Sequence, residues 1–125
     1  MPREFARHQR LGNQVLRTLS EVLRSETKDP RLRKVSLTRV DLSRDLGIAR
    51  IYFSLLDPDQ PVEPVLEGLD SAAGFLRGKL ARAIEIRHVP ELRFFHDDSA
   101  AEAVRISRLI DTAREADDSA SREDG

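Results

Sequence analysis

The chain has 125 residues, 39% of them hydrophobic, with 34% charged and no cysteine. That length suits a single domain with a real core, and the absence of cysteine excludes both a disulfide framework and a thiolate metal site. No apolar run approaches the roughly 20 residues of a membrane-spanning helix, and the stretch Met1-Pro2-Arg3-Glu4-Phe5-Ala6-Arg7-His8 lacks the apolar segment of a signal peptide, so a cytoplasmic location is expected.

The net charge of −1 hides an asymmetry. Residues 1–50 hold 12 Lys and Arg against 6 Asp and Glu, whereas residues 51–125 hold 9 against 16. A basic half joined to an acidic half points to a polyanionic partner on one side of the molecule.

In chain order, Leu11, Val15, Leu19 and Val22 recur at helical steps from about Ala6 to Glu26, which predicts an amphipathic helix. Asp29-Pro30 is expected to end it, because proline disfavours helical backbone in the residue before it. Lys34 to Leu42 and Gly47 to Leu56 read as an antiparallel pair of strands. In the second, Ile51, Phe53 and Leu55 alternate with Arg50, Tyr52 and Ser54, the pattern of a strand with two unlike faces. In the first, Val35 and Leu37 are out of phase with Val40 and Leu42, and a bulge near Arg39 would reconcile them.

Pro61 suits the first turn of a following helix. Val62, Val65, Leu66, Leu69 and Ala73 mark its buried side, and helical spacing resumes beyond Gly74. Two helices, or one bent helix, are predicted to meet at Ala72-Ala73-Gly74, since glycine weakens a helix interior. Glu91 to Asp97 forms a third strand after Pro90. Ser99-Ala100-Ala101-Glu102 then has the form of a capping box before a last helix, with Val104, Ile106, Leu109, Ile110 and Ala113 on one side. The expectation is an α+β domain over residues 1–115, with helices packed on one face of a three-stranded sheet, and an acidic, disordered tail at 116–125.

Catalytic patterns are sparse. His88, Glu91, His96, Asp97 and Asp98 are permissive for a metal by type, but their spacing fits no helical ligand pair, and Asp97 and Asp98 have an ordinary place before a helix start. No nucleophile elbow, P-loop or dinucleotide fingerprint is present. The expectation is therefore a protein without a catalytic centre, metal or cofactor. A small hydrolase using His88, His96 or Asp97, and a protein-binding adaptor with a merely solubilising charge, remain as rivals.

The basic residues form the stronger pattern. Arg3, Arg7 and Arg10 open the first helix; Arg31, Arg33, Lys34 and Arg44 lie at strand ends and the hairpin loop. Arg77, Lys79, Arg82, Arg87 and Arg93 form a second group. Guanidinium forks match phosphate oxygens, and a helix start after Gly74 would add amide donors. Few aromatics could stack on bases; among Tyr52, Phe94 and Phe95, Tyr52 lies on the polar side of its strand.

Several ordered blocks then carry a resemblance: Asp29-Pro30-Arg31-Leu32, the run Val40 to Leu46, Ala49 to Ser54, Gly74-Phe75-Leu76-Arg77, Arg87 to Phe94, and Asp97 with Ser99. Together, from about Arg3 to Ile110, they resemble the ribosome-binding factor A family. The resemblance implies a type II KH-like fold, α-β-β-α-α-β, here with an added C-terminal helix. It also implies a factor that binds precursor small ribosomal subunits and their rRNA, acts late in rRNA maturation, has particular importance in the cold, and is released by an assembly GTPase; a monomer is expected. Typical KH domains clamp single strands with a G-x-x-G loop, which this chain lacks. Ala72-Ala73-Gly74 matches the family's Ala-x-Gly bend instead, so recognition of RNA by charge and shape is expected.

Overall fold

Alternation along the strands produces a sheet with one apolar and one polar face. The computed structural model describes residues 3–98 and 106–113, with the side chains of residues 3 and 4 outside that description. β1 (Val35–Leu42) and β2 (Ile48–Leu55) pair antiparallel, and β3 (Glu91–His96) joins β2 in parallel, giving the order β1-β2-β3. Ala49, Ile51 and Phe53 of β2 and Leu92 and Phe94 of β3 are buried on the apolar face. In β1 the register shifts between Leu37 and Arg39. The shift skips Thr38 and returns Val40 and Leu42 to the phase of Val35 and Leu37, as the expected bulge requires.

Two helices cover that face. α1 (Arg3–Ser25) lies against β1, α2 (Val62–Ala83) lies against β3, and the helices touch each other. α1 buries Val15, Leu19, Val22 and Leu23, while α2 buries Val65, Leu69, Leu76 and Leu80. Each such side chain stabilises the fold by about 1.5–3 kcal/mol relative to exposure. Close approach of α1 to β1 depends on Gly12, where a Cβ would stand 3.0 Å from the Val40 carbonyl oxygen. The α+β class and the one-sided covering agree with the sequence reading.

Three local features sharpen that reading. α1 stops at Ser25, before Asp29-Pro30, and the Ser25 hydroxyl donates to the Glu21 carbonyl at 2.7 Å. Pro30 instead opens a short 3-10 turn, Pro30–Leu32, capped by Asp29. Second, α2 is one continuous helix through Ala72-Ala73-Gly74, so of the two expected arrangements, two helices or one bent helix, the first is excluded. Gly74 does not have a positive φ, and a Cβ there would meet nothing within 4 Å. Its helix-weakening tendency is outweighed by the packing of the flanking buried Leu69, Leu76 and Leu80.

Third, the helical stretch at 106–113 leaves Ile106, Leu109 and Ile110 about half or more exposed, at 49%, 64% and 48%. α1 and α2 already fill the apolar face of the sheet, which leaves this stretch no share of the core. The Ser99 capping box and the 116–125 tail lie outside the described residues.

Candidate nucleic-acid interface

The second half of α2 presents the expected basic residues, but in unequal states. Arg77 is a structural tie: its Nε donates to the Pro90 carbonyl at 3.2 Å and its Nη2 to the Val89 carbonyl at 3.0 Å. The loop between α2 and β3 is thus fastened to the helix. Lys79 pairs with Glu26 of α1 at 3.1 Å and sits 5.5 Å from the ring centre of Phe75. Arg82 lies in a shallow groove between α1 and α2 that Arg17, Glu21 and Glu26 also line. Arg82 and Arg87 are exposed and have no ion pair among the described residues. Because α2 is continuous, no helix start follows Gly74, and the amide donors expected there are bonded within the helix.

Arg31 is tied into the local structure. Asp29 caps the 3-10 turn by accepting from the Arg31 backbone amide at 2.9 Å, and its carboxylate also grips the guanidinium, with Nη2 at 2.8 Å. Glu67 of α2 lies 3.9 Å from the same side chain. The hydrogen bonds from Arg31, side chain first and then backbone, hold the Asp29 carboxyl below its ordinary value. Gly68 makes the space: a Cβ there would lie 3.1 Å from Leu32 Cδ2 and 3.2 Å from Asp29 Oδ2. The neighbouring Arg33 and Lys34 are exposed.

At the other end of β1, the hairpin loop meets the start of α1. Arg7 and Arg10 are exposed, Arg3 has no described side chain, and His8 Nε2 is 3.0 Å from the Arg44 carbonyl oxygen. Phe5, Gln9, Arg39 and Arg44 line one groove between α1 and β1. Asp45 shapes the loop by accepting from the Gly47 amide at 3.0 Å and the Ser43 hydroxyl at 2.8 Å. Those bonds lower its pKa. Leu46 takes the left-handed conformation, with φ of 62°.

The polar face of the sheet carries a feature the residue types alone did not announce. Arg39 on β1 places its guanidinium 4.2 Å from the centre of the Tyr52 ring on β2. Tyr52 stacks in turn on Phe95 of β3, with ring centres 5.5 Å apart and 29° between planes. Hydrogen bonding to Tyr52, followed by the nearby Asp41 carboxylate, raises the pKa of Arg39. Of these three, Arg39 was not anticipated as a site residue; it joins the row only because the bulge sets it opposite Tyr52.

The histidine–carboxylate cluster does not converge. Among the described residues no group of three or more His, Asp or Glu could hold a metal ion. The His96 ring is instead tilted against Phe53 at 5.5 Å, and Asp97 accepts from the Thr38 hydroxyl at 3.3 Å. None of the described helices is long and apolar enough to cross a membrane.

Comparison with known proteins agrees with these features. The family model described as ribosome-binding factor A matches residues 7–110. A ribosome-binding factor A from Thioalkalivibrio sulfidiphilus is 46% identical over 113 residues, covering 90% of this chain and 88% of that one. The crystal structure of ribosome-binding factor A from Thermus thermophilus superposes with a TM-score of 0.64 at 29% identity, over 71% of this chain and 93% of the other. A Thermus thermophilus homology model, fitted into the cryo-EM map of a 30S complex with the factor, has a TM-score of 0.62 at 28% identity and covers 73% and 96% of the two chains. This chain belongs to the ribosome-binding factor A family.

Proposed function

We propose that this chain binds precursor small ribosomal subunits through phosphates of their rRNA and promotes late maturation of that RNA, with particular importance in the cold. It acts in the cytoplasm as a monomer, without a cofactor and without catalysis, and an assembly GTPase releases it. The observation that carries the reading is the family match over residues 7–110. A member of that family from Thermus thermophilus has been fitted into a 30S complex.

The charge layout supports a phosphate contact. Arg82 and Arg87, with Arg7 and Arg10, are exposed cations without ion pairs among the described residues, and unpaired guanidinium groups can meet phosphates without first breaking an internal bond. Arg31 and Arg77 contribute indirectly, by holding the turn and the loop that shape the surface. Lys34 and Arg44 extend the contact at the ends of β1, and Arg3 does so at the start of α1. Lys79 contributes charge beside Arg82 while bonded to Glu26.

Sedimentation of cell extract provides the test. The chain should travel with free small subunits, remain after mild washing and leave them in high salt. A chain that sediments only at the top of the gradient, or that stays with subunits at high salt, contradicts phosphate-mediated binding.

A further inference from the structure

We infer that the row Arg39–Tyr52–Phe95, on the sheet face that α1 and α2 leave open, is a stacking site for one unpaired RNA base, which adds to the outer side of Phe95. The inference rests on the RNA-binding reading above and names an interaction that reading does not contain.

The row is built by strand register. Arg39 lies opposite Tyr52 in the antiparallel ladder, and Tyr52 lies beside Phe95 in the parallel one. Three flat groups therefore stand in line across the sheet, guanidinium on ring at 4.2 Å and ring on ring at 5.5 Å. Tyr52 is covered on both sides by its neighbours. Phe95 has one ring side against Tyr52, and among the described residues no strand lies beyond it because β3 is the edge of the sheet. It is 39% exposed, an apolar ring in water with a free end to a stack.

Charge around the row distinguishes a nucleotide from a plain apolar partner. Arg39 is paired with Asp41 at 3.2 Å, Arg93 with Glu91 at 3.4 Å, and Asp97 accepts from Thr38. Arg50 is exposed and without an ion pair among the described residues: it sits beside Arg93 in the β2–β3 ladder and opposite Asp41 in the β1–β2 ladder, and Asp41 is paired with Arg39 instead. Two adjacent like charges repel, and a phosphate placed between them relieves that repulsion. A base on Phe95 and its phosphate near Arg50 and Arg93 satisfy both features. Stacking of this kind tolerates any base, since each presents a flat π-face, so the site grips an unpaired nucleotide without reading its identity.

The test uses the full chain and a short single-stranded oligoadenylate carrying 2-aminopurine, whose fluorescence falls when it stacks. Binding should quench the probe. Phe95→Leu, which keeps the apolar bulk, should weaken binding roughly 5- to 100-fold, from the worth of one base–aromatic stack. Phe95→Tyr should bind like the unaltered protein, and Arg50→Gln should lower the salt dependence by somewhat less than about one unit of slope. Equal affinity for the unaltered protein and a folded Phe95→Leu variant overturns the site. So does a chain that binds small subunits but leaves the probe unquenched, the result expected if the apolar side of the 106–113 helix occupies the row. Loss of subunit binding by the unaltered protein would instead remove the RNA-binding reading beneath it.

Discussion

Arg31 donates to both carboxylate oxygens of Asp29, with Nε 3.1 Å from Oδ1 and Nη2 2.8 Å from Oδ2. The pair closes a turn directly under α2, where Gly68 leaves room for it. A residue that looks like a phosphate ligand by type is thereby part of the scaffold.

The pair has a pH signature. Asp29 ordinarily titrates near 3.8, and its hydrogen bonds to Arg31 lower that value in the folded chain. The unfolded chain therefore binds the proton first as pH falls, so the stabilisation is fully present above about pH 4 and is lost as pH drops through the folded value. Asp45 acts in the same direction through Gly47 and Ser43. Thermal unfolding between about pH 2 and 6 should show a shallower acid decline for Asp29→Asn than for the unaltered protein, from a lower starting Tm. Parallel declines would show that the pair carries no pH-dependent stability.

Arg77 and Arg82 separate fold from function. Arg77→Gln loses two bonds to backbone carbonyls and should cost about 1 kcal/mol in urea unfolding, scaled down for its exposure. Arg82→Gln breaks no ion pair and should leave stability within about 0.5 kcal/mol, while weakening subunit binding.

Salt dependence counts the phosphates engaged. Replacing Arg82 and Arg87 together by Gln should reduce the slope of log affinity against log salt by up to about two units, close to one for each phosphate released. An unchanged slope and affinity in the folded double variant would place the phosphate-binding surface elsewhere.

The glycines of the two helices should respond with opposite signs. Gly74→Ala meets open space inside a continuous helix and should stabilise the chain by about 1 kcal/mol. Gly12→Ala sets a methyl 3.0 Å from the Val40 carbonyl oxygen, a backbone atom that cannot turn aside. Overpacking of that kind costs about 1–3 kcal/mol, so destabilisation should win. Chemical denaturation of both variants provides the comparison.

The parts of this fold legible in the sequence are those with a strong period. The α1 stripe of Val15, Leu19 and Val22, the alternation of Ile51 and Phe53, and even the phase break at the β1 bulge all have a local signature. Gly74 does not divide the helix in two because intrinsic propensity is weak against the packing of Leu69, Leu76 and Leu80 on either side of it. The apolar side at Ile106, Leu109 and Ile110 was equally clear as a pattern, yet periodicity does not say whether a sheet face is still vacant. The site was harder to read. The roles of Arg31 and Arg77 depend on which acceptors the turn and loop bring near, and the stacking row depends on the register of three strands. Neither can be obtained from residue type.

The parallel placement of β3 also has a consequence for how the chain acquires its shape during synthesis. β1 and β2 are separated only by the Ser43–Gly47 loop, so their hairpin can close as soon as residue 55 is available. The far side of β2 must then wait for Glu91–His96, roughly 40 residues later, and such long-range pairing is intrinsically slow. Until then the central strand is an edge with open backbone donors and acceptors, beside the apolar Ala49, Ile51 and Phe53. The nascent chain is most exposed to mispairing in that interval, and slow elongation lengthens it.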